Sequence, residues 1–128
     1  MAINKDLRVL VVDDFPSMRS VIKGLLRKIG FREVFEANDG AEAWDMLSKE
    51  PIDFIISDWN MPEMTGLELL NKVRGDEKLA NTPFLMVTAE AEKDRVLDAY
   101  KAKVSDYILK PFTMDVLEGK IASILEKS

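Results

Sequence analysis

Short apolar runs alternate with longer amphipathic segments along the whole chain. A short apolar run rich in β-branched residues is typical of a strand that is covered on both faces of a parallel sheet. By this criterion the sequence predicts five strands, at residues 7–13, 34–37, 52–58, 83–88 and 107–110. All of these strands except the second end in a polar or charged residue. These strand-end residues are the candidates for a functional site.

The segments that follow the strands carry apolar residues at helical spacing. After the first strand, Pro16 suits a first helical turn, and Gly30 is placed to end the helix. Asp14 or Ser17 is placed to cap the same helix at its start. The predicted helices are residues 16–30, 41–47, 67–73, 91–100 and 116–125.

This alternation of strands and helices favours right-handed βαβ crossovers and a parallel sheet sandwiched by helices. We therefore predict an α/β protein with a flavodoxin-like, doubly wound (βα)5 architecture and a five-stranded parallel sheet of order 2-1-3-4-5. In such sheets ligands bind where the strand order reverses, outside the carboxyl ends of the strands. The crevice is thus expected between the first and third strands.

Length and composition fit one soluble folded domain. At 128 residues the chain can bury a core but is too short for a further catalytic or DNA-binding module, so residues 1–128 are predicted to form a single domain without an output domain. The net charge of -5, with no cluster of Lys and Arg, argues against nucleic acid as a partner. No apolar run has membrane-spanning length and no signal-peptide pattern is present, so we expect no membrane insertion and a cytoplasmic location.

The chain contains neither His nor Cys, which restricts its chemistry. The usual general base, the thiolate nucleophile and the usual transition-metal ligands are all missing. Carboxylates, hydroxyls and amines remain. Any metal site should therefore have only oxygen ligands, which select Mg²⁺ or Ca²⁺ over zinc.

Five polar side chains lie at the ends of the predicted strands. They are Asp13 and Asp14 after the first strand, Asp58 after the third, Thr88 after the fourth and Lys110 after the fifth. Each has an ordinary structural explanation, because Asp and Thr often cap helices or turns and Lys110 precedes a turn proline. The carboxyl ends of parallel strands meet at one edge of the sheet, however, so we expect all five to lie together.

The predicted crevice holds more negative than positive charge. Three carboxylates and one ammonium leave a net charge of minus two, which a divalent cation matches. Mg²⁺ binds through few protein ligands together with water and phosphate oxygens, so an incomplete protein cage indicates that a phosphate completes it. Because His and Cys are absent, we expect the nucleophile to be a carboxylate, which can form an aspartyl phosphate, with Thr88 and Lys110 on the other phosphoryl oxygens.

Five stretches of the chain resemble the receiver domain of two-component response regulators, and within that family the single-domain chemotaxis regulators. They are residues 11–15, 57–62, 66–70, 86–91 and 107–112, in the order and spacing of the family. The resemblance implies that Asp58 is the phosphoacceptor and that Mg²⁺ is bound by Asp13, Asp14, Asp58 and the carbonyl oxygen of Asn60. It also implies that Thr88 and Lys110 hold the phosphoryl group.

The same resemblance implies a switch and a set of partners. Tyr107 would be the rotating switch aromatic, next to a cis peptide bond before Pro111. The phosphodonor would be a histidine kinase. The output partner would be a flagellar motor switch protein or another output protein, and a phosphatase would end the signal. The protein would act as a monomer, with a partner surface that includes Lys93, Tyr100, Tyr107 and Lys120.

Five residues depart from the family pattern. Thr65 stands where Asp or Asn usually precedes the glycine, and Lys103-Val104 stands where Gly-Ala is usual. A left-handed backbone at Lys103 would cost about 1 kcal/mol, so we expect this corner to be rebuilt. Tyr100 and Ser123 replace a small residue and a lysine on the partner face of the chemotaxis regulators. These changes leave the predicted chemistry intact and bear on the identity of the partner.

Other classes of protein share parts of this pattern. An FMN electron carrier has the same sheet order but needs a hydroxyl- and glycine-rich phosphate loop where residues 13–16 are acidic. An interaction module whose acidic edge is unused would have the same pocket. So would a receiver domain with a non-motor partner or with a phosphate-sink role. Only a measurement of activity separates these alternatives. The leading interpretation is a phosphorylation-activated switch of a chemotaxis-type two-component system, which catalyses its own phosphorylation and dephosphorylation and is not a metabolic enzyme.

Overall fold

The computed structural model describes residues 3–89 and 93–127, apart from the side chains of residues 93 and 94. Within these residues, strands and helices alternate as predicted. They are β1 (Arg8–Val12), α1 (Pro16–Ile29), β2 (Glu33–Ala37), α2 (Gly40–Lys49), β3 (Phe54–Asp58), α3 (Gly66–Gly75), β4 (Phe84–Thr88), α4 (Lys93–Lys101), β5 (Asp106–Leu109) and α5 (Met114–Lys127).

The five strands form one parallel sheet in the order β2-β1-β3-β4-β5, which confirms the predicted flavodoxin-like fold. In the register between β1 and β3, Val12 lies beside Ser57. The next residues along the two strands, Asp13 and Asp58, therefore reach the carboxyl edge side by side. This edge is where the strand order reverses, and it positions the candidate site.

Two hydrophobic clusters cover the two faces of the sheet. Helices α1 and α5 pack on one face through residues such as Leu26 and Leu117, whereas α2, α3 and α4 contribute to the other through residues such as Leu70 and Ala99. Neighbouring residues of β3 point into opposite clusters, as the period of two in a strand requires. All five residues of β3 are buried, which explains why its sequence is apolar up to its polar end.

The element boundaries differ from the predicted ones by a few residues. β5 begins at Asp106 and ends at Leu109, so Lys110 lies just past the strand. The peptide bond before Pro111 is cis, as expected. The predicted start of the fourth helix, at residue 91, lies outside the described residues.

The prediction that Asp14 or Ser17 caps α1 is wrong. The N-cap residue is Phe15, and no side chain caps the helix. Oδ1 of Asp13 instead accepts a hydrogen bond from the backbone N–H of Phe15 at 2.9 Å. Ser17 lies inside the helix because Pro16 already occupies its first turn.

Thr65 and Lys103, which depart from the family pattern, both fit the backbone of their turns. Thr65 is the N-cap of α3, and it forms a capping box in which Thr65 and Glu68 each accept a hydrogen bond from the other's backbone N–H. Lys103 has a φ of 65°, in the left-handed region, and its backbone N–H donates to the carbonyl of Tyr100 at 3.0 Å. The expectation that this corner is rebuilt is therefore wrong, because Lys103 itself adopts the left-handed turn that ends the helix.

Candidate functional site

Three carboxylates meet at the carboxyl edge of the sheet. One oxygen from each of Asp13, Asp14 and Asp58 lies within 4.8 Å of the others. Asp13 is fully buried, and the side chain of Asp58 is only 6% exposed. The prediction that these acids come together is confirmed, and their proximity follows from the pairing of β1 with β3.

The surroundings of Asp58 disfavour its charged form. Burial raises the pKa of Asp58 above its usual value, an effect that the nearby ammonium of Lys110 opposes and the carboxylate of Asp13 adds to. Oδ1 of Asp58 accepts a hydrogen bond from the backbone N–H of Trp59 at 2.9 Å. The same N–H also reaches the carbonyl of Val87 at 3.1 Å, so the carboxylate is held against β4.

Lys110 is the cation of this pocket. Its Nζ lies 3.3 Å from Oδ1 of Asp58 and 3.5 Å from Oδ2 of Asp13. The backbone N–H of Lys110 donates to the carbonyl of Thr88 at 2.8 Å, which extends the pairing of β4 and β5 by one residue. Lys110 thus bridges two of the three acids and cancels part of their repulsion.

Thr88 ends β4 and is buried. It lines a small cleft together with Trp59, Met86, Ala99 and Tyr107. The sheet thus brings Thr88 to the same edge as the acids, and the cleft connects it to Tyr107. The roles of Thr88 as a phosphoryl ligand and of Tyr107 as a rotating switch stay predictions.

The donor set fits a hard divalent cation. Within the part of the chain that the structure describes, Oδ1 of Asp14 is buried without a hydrogen-bond partner. A buried carboxylate oxygen normally has a partner, and an unpaired one among two other acids is a natural metal ligand. Asn60 lies two residues past Asp58, and its side-chain Oδ1 accepts from Arg95 at 3.0 Å. Ligation by the carbonyl of Asn60 stays a prediction.

Two arginines that contact the site were not found from the sequence. Arg19 donates from Nη1 to the carbonyl of Asp13 at 2.7 Å, and its Nε forms an ion pair with the carboxylate of Glu36 at 3.5 Å. Arg95 binds Asn60 and lies over the ring of Trp59, at 5.5 Å from its centroid. Both sit on amphipathic helices where an arginine is ordinary, so nothing in the sequence marked them.

The predicted partner residues are brought together in part. The rings of Tyr100 and Tyr107 pack edge to face with their centroids 5.9 Å apart, and the Nζ of Lys120 lies 5.6 Å from the centroid of Tyr107. Ser123 is half-buried on α5. Lys93 is the first residue of α4, and its side chain lies outside the described residues.

A protein-family model described as the response regulator receiver domain matches residues 9–122. The chain therefore belongs to the response regulator receiver domain family, whose members are phosphorylation-activated switches of two-component systems. No helix within residues 3–89 and 93–127 combines the length and the apolar character that crossing a bilayer requires.

The similar proteins include chemotaxis regulators. The chain is 50% identical to the chemotaxis protein CheY of Pseudomonas aeruginosa over 121 residues, which cover 94% of this chain and 98% of that protein. The structure of CheY4 of Vibrio cholerae matches with a TM-score of 0.87 and 34% identity, covering 93% of this chain and 98% of that one. The receiver domain of sensor histidine kinase PA1611 of Pseudomonas aeruginosa PAO1, solved with a magnesium ion coordinated in its active site cleft, matches with a TM-score of 0.85 and 26% identity. It covers 94% of this chain and 98% of that chain.

Proposed function

We propose that this protein is a chemotaxis-type response regulator that accepts a phosphoryl group on Asp58 from a histidine kinase and then changes its affinity for an output protein. The observation that supports this most is the position of Asp58 between the ammonium of Lys110, 3.3 Å away, and the two acids at the end of β1. A nucleophile, a cation and an oxygen-rich metal pocket are the groups that phosphoryl transfer to a carboxylate needs.

Asp58, Lys110 and Thr88 each have a distinct role in the proposed phosphoryl transfer. A carboxylate oxygen of Asp58 attacks phosphorus, and the bond from phosphorus to the imidazole nitrogen of the donor breaks as the new P–O bond forms. The ammonium of Lys110 and the hydroxyl of Thr88 hold two of the phosphoryl oxygens. Hydrolysis reverses the modification when a water attacks phosphorus and the Asp58 carboxylate leaves.

The acids of β1 and β3 provide the metal site. Asp13, Asp14, Asp58 and the carbonyl of Asn60 would hold Mg²⁺, which neutralises the negative charge of the phosphoryl oxygens when bound. The raised pKa of Asp58 supports this role, because burial among acids favours the protonated form until a cation is bound. The relative whose structure contains a magnesium ion in its cleft is consistent with the same assignment.

The proposal extends to the setting in which the protein acts. It functions in the cytoplasm as a single-domain monomer, and a phosphatase resets it. Its partner surface comprises α4, β5 and α5, with Lys93, Tyr100, Tyr107 and Lys120. The chemotaxis relatives favour a flagellar motor switch protein as the output partner, whereas Tyr100 and Ser123 on the partner surface favour another output protein.

A labelling experiment tests the phosphoacceptor. Incubation with acetyl phosphate and Mg²⁺ should add one phosphoryl group to the intact protein, and chelation of Mg²⁺ should prevent it. Asp58→Asn should abolish the label because an amide is not a nucleophile. Asp53→Asn is the matched control: Asp53 lies at the opposite end of β3, where it accepts from the backbone N–H of Arg8, and this variant should be labelled normally.

Intact-mass and peptide analysis distinguish the outcomes. A label that survives in Asp58→Asn and maps to Ser or Thr would identify an ordinary kinase substrate and contradict the proposal. A label on Asp58 that forms equally well without Mg²⁺ would contradict the metal assignment alone.

A further inference from the structure

Four side chains at the start of β5 form one connected group, which we call the Asp106 cluster: Asp106, Tyr100, Tyr107 and Lys120. Oδ1 of Asp106 accepts from the hydroxyl of Tyr100 at 3.4 Å and from the backbone N–H of Tyr107 at 2.8 Å. Its Oδ2 lies 3.2 Å from the ammonium of Lys120. A single carboxylate therefore fixes one group from α4 and one from α5.

Both groups that Asp106 fixes also contact the ring of Tyr107. Tyr100 packs its ring against that of Tyr107 at an interplanar angle of 81°, the edge-to-face arrangement that aromatic pairs prefer. The ammonium of Lys120 lies 5.6 Å from the centre of the Tyr107 ring, within the range of a cation–π contact. The ring is thus held from two sides by residues that Asp106 orients.

The charges within the Asp106 cluster are balanced. Lys120 and Asp106 are 36% and 22% exposed and neutralise each other. Burial raises the pKa of Tyr100, and the negative charge of Asp106 adds to the effect, so the phenol stays protonated and donates its hydrogen bond at neutral pH.

The space on the inner side of Tyr107 is small. The cleft that Tyr107 shares with Thr88 has a volume of about 10 Å³, which is room for roughly one water molecule and far less than a phenol ring needs. Inward movement of Tyr107 therefore requires that Thr88 or α4 first make room. The ring has one position in this structure, and a second becomes available only when the pocket rearranges.

We propose that Asp106 is a positioning residue of the switch, which acts through Tyr100 and Lys120 to hold Tyr107 in its present position until phosphorylation at Asp58 opens the space behind it. This inference rests on the proposed function and identifies the Asp106 carboxylate as the group that opposes activation. Because binding at Asp58 and movement of Tyr107 are linked, whatever loosens the cluster must also strengthen binding of a phosphoryl analogue at Asp58 by the same factor.

Beryllofluoride with Mg²⁺ is the probe, and its apparent affinity is measured through the fluorescence of Trp59. Each exposed ion pair or ring contact is worth a factor of about two to five in an equilibrium constant, so Asp106→Asn should bind beryllofluoride about threefold to tenfold more tightly than the wild type. Asp106→Glu retains the carboxylate and should restore most of the wild-type affinity. Asp98→Asn removes the same charge from an exposed position of α4 and is the matched control, with wild-type affinity expected.

A second measurement follows the switch residue itself. The chain has only two tyrosines, Tyr100 and Tyr107, so 3-fluorotyrosine labels the cluster and nothing else. In Asp106→Asn without phosphoryl analogue, the fluorine resonance of Tyr107 should move part of the way toward its position in the activated wild type. A merely structural role of Asp106 would lower stability without this movement and without tighter binding.

The outcomes separate the inference from the function on which it rests. If the wild type responds to beryllofluoride and Asp106→Asn binds it no more tightly, with Tyr107 unmoved, the positioning role is overturned and the proposed function stands. If the wild type shows no response to beryllofluoride and Mg²⁺, the proposed function fails and the inference fails with it.

Discussion

The ammonium of Lys110 lies 3.3 Å from the carboxylate of Asp58, although the two residues are far apart in the sequence. The contact exists because β3 and β5 both pair with β4 and end at the same edge of the sheet. Lys110 is also joined to Thr88 through its backbone N–H. One residue therefore connects the carboxylate of Asp58 to the end of β4.

Lys110→Ala should uncouple phosphorylation from signalling more than it prevents phosphorylation. In the proposed mechanism Mg²⁺ would carry most of the charge stabilisation at phosphorus, whereas the ammonium of Lys110 would connect the phosphoryl oxygen to β4 and β5. We expect labelling by acetyl phosphate to persist at a rate reduced by roughly tenfold, while the increase in partner affinity on phosphorylation is lost. Equal loss of labelling and partner response, measured on the same preparation, would contradict this role.

Mg²⁺ should bind the pocket weakly and reversibly, because few protein ligands are present and water supplies the others. Trp59 is buried directly beside Asp58, so its fluorescence should change on titration with MgCl₂. Asp14→Ala removes the carboxylate with the unpaired oxygen and should weaken binding about tenfold or more. Trp44→Phe removes the other tryptophan and should preserve the response; an unchanged signal in the wild type at millimolar Mg²⁺ would rule out the metal site.

Asp58→Asn should stabilise the metal-free protein at neutral pH, since it removes a carboxylate whose pKa is raised by burial in the folded state. When the pKa of an acid is higher in the folded than in the unfolded protein, ionisation of that acid lowers the free energy of unfolding. The loss begins as the pH rises through the unfolded-state pKa and is complete above the folded-state pKa. The difference between the variant and the wild type should therefore be largest at neutral pH and disappear as the pH falls below the ordinary Asp value.

Urea denaturation with and without Mg²⁺ measures this effect. Mg²⁺ binds only the folded wild type well, so adding it should reduce the advantage of Asp58→Asn. An Asp58→Asn variant that is less stable than the wild type at neutral pH without metal would show that the buried carboxylate of Asp58 does not destabilise the metal-free protein.

Much of the fold and the pocket could be predicted because both depend on local patterns. Apolar runs such as residues 54–56 set the strands, and the strand ends set the positions of the acids. The N-terminus of α1 was predicted wrongly, because Asp13 turns back to the N–H of Phe15 and no side chain caps the helix. The contacts of Arg95 with Asn60 and of Asp106 with Lys120 depend on how separate elements pack, which no local pattern encodes.

Lys103→Gly should raise the free energy of unfolding by up to about 1 kcal/mol. Lys103 has a φ of 65°, a backbone conformation that strains a residue with a side chain but does not strain glycine. The hydrogen bond that Arg74 donates to the carbonyl of Lys103 involves only the backbone of residue 103 and should persist. Lys101→Gly, within the last turn of α4, is the control and should destabilise by a similar amount. A loss of stability in Lys103→Gly would contradict the strain at this corner.

Binding of a flagellar motor switch peptide should be weak even for the beryllofluoride-activated protein. Tyr100 is 48% exposed and adds an aromatic ring to the partner face, and Ser123 removes a positive charge that an acidic peptide would use. The triple variant Lys103→Gly, Tyr100→Ala, Ser123→Lys should bind the peptide about tenfold more tightly in a fluorescence anisotropy titration.

Ser48→Lys provides the control for this comparison. It introduces the same charge on an exposed position of α2, away from the partner face, and should leave peptide affinity unchanged. Tight binding by the unaltered protein, with no gain in the triple variant, would show that the partner face accepts all three residues.

Gly66 begins α3 directly against the end of β3, which carries Asp58. A Cβ at this position would run into the carbonyl oxygen of Asp58 and would lie 2.8 Å from the sulfur of Met86, and the backbone N–H of Gly66 donates to the carbonyl of Trp59. Any side chain here would push the backbone of Asp58 itself. In evolutionary terms, codon 66 is therefore expected to be under purifying selection in every lineage in which Asp58 must keep its position.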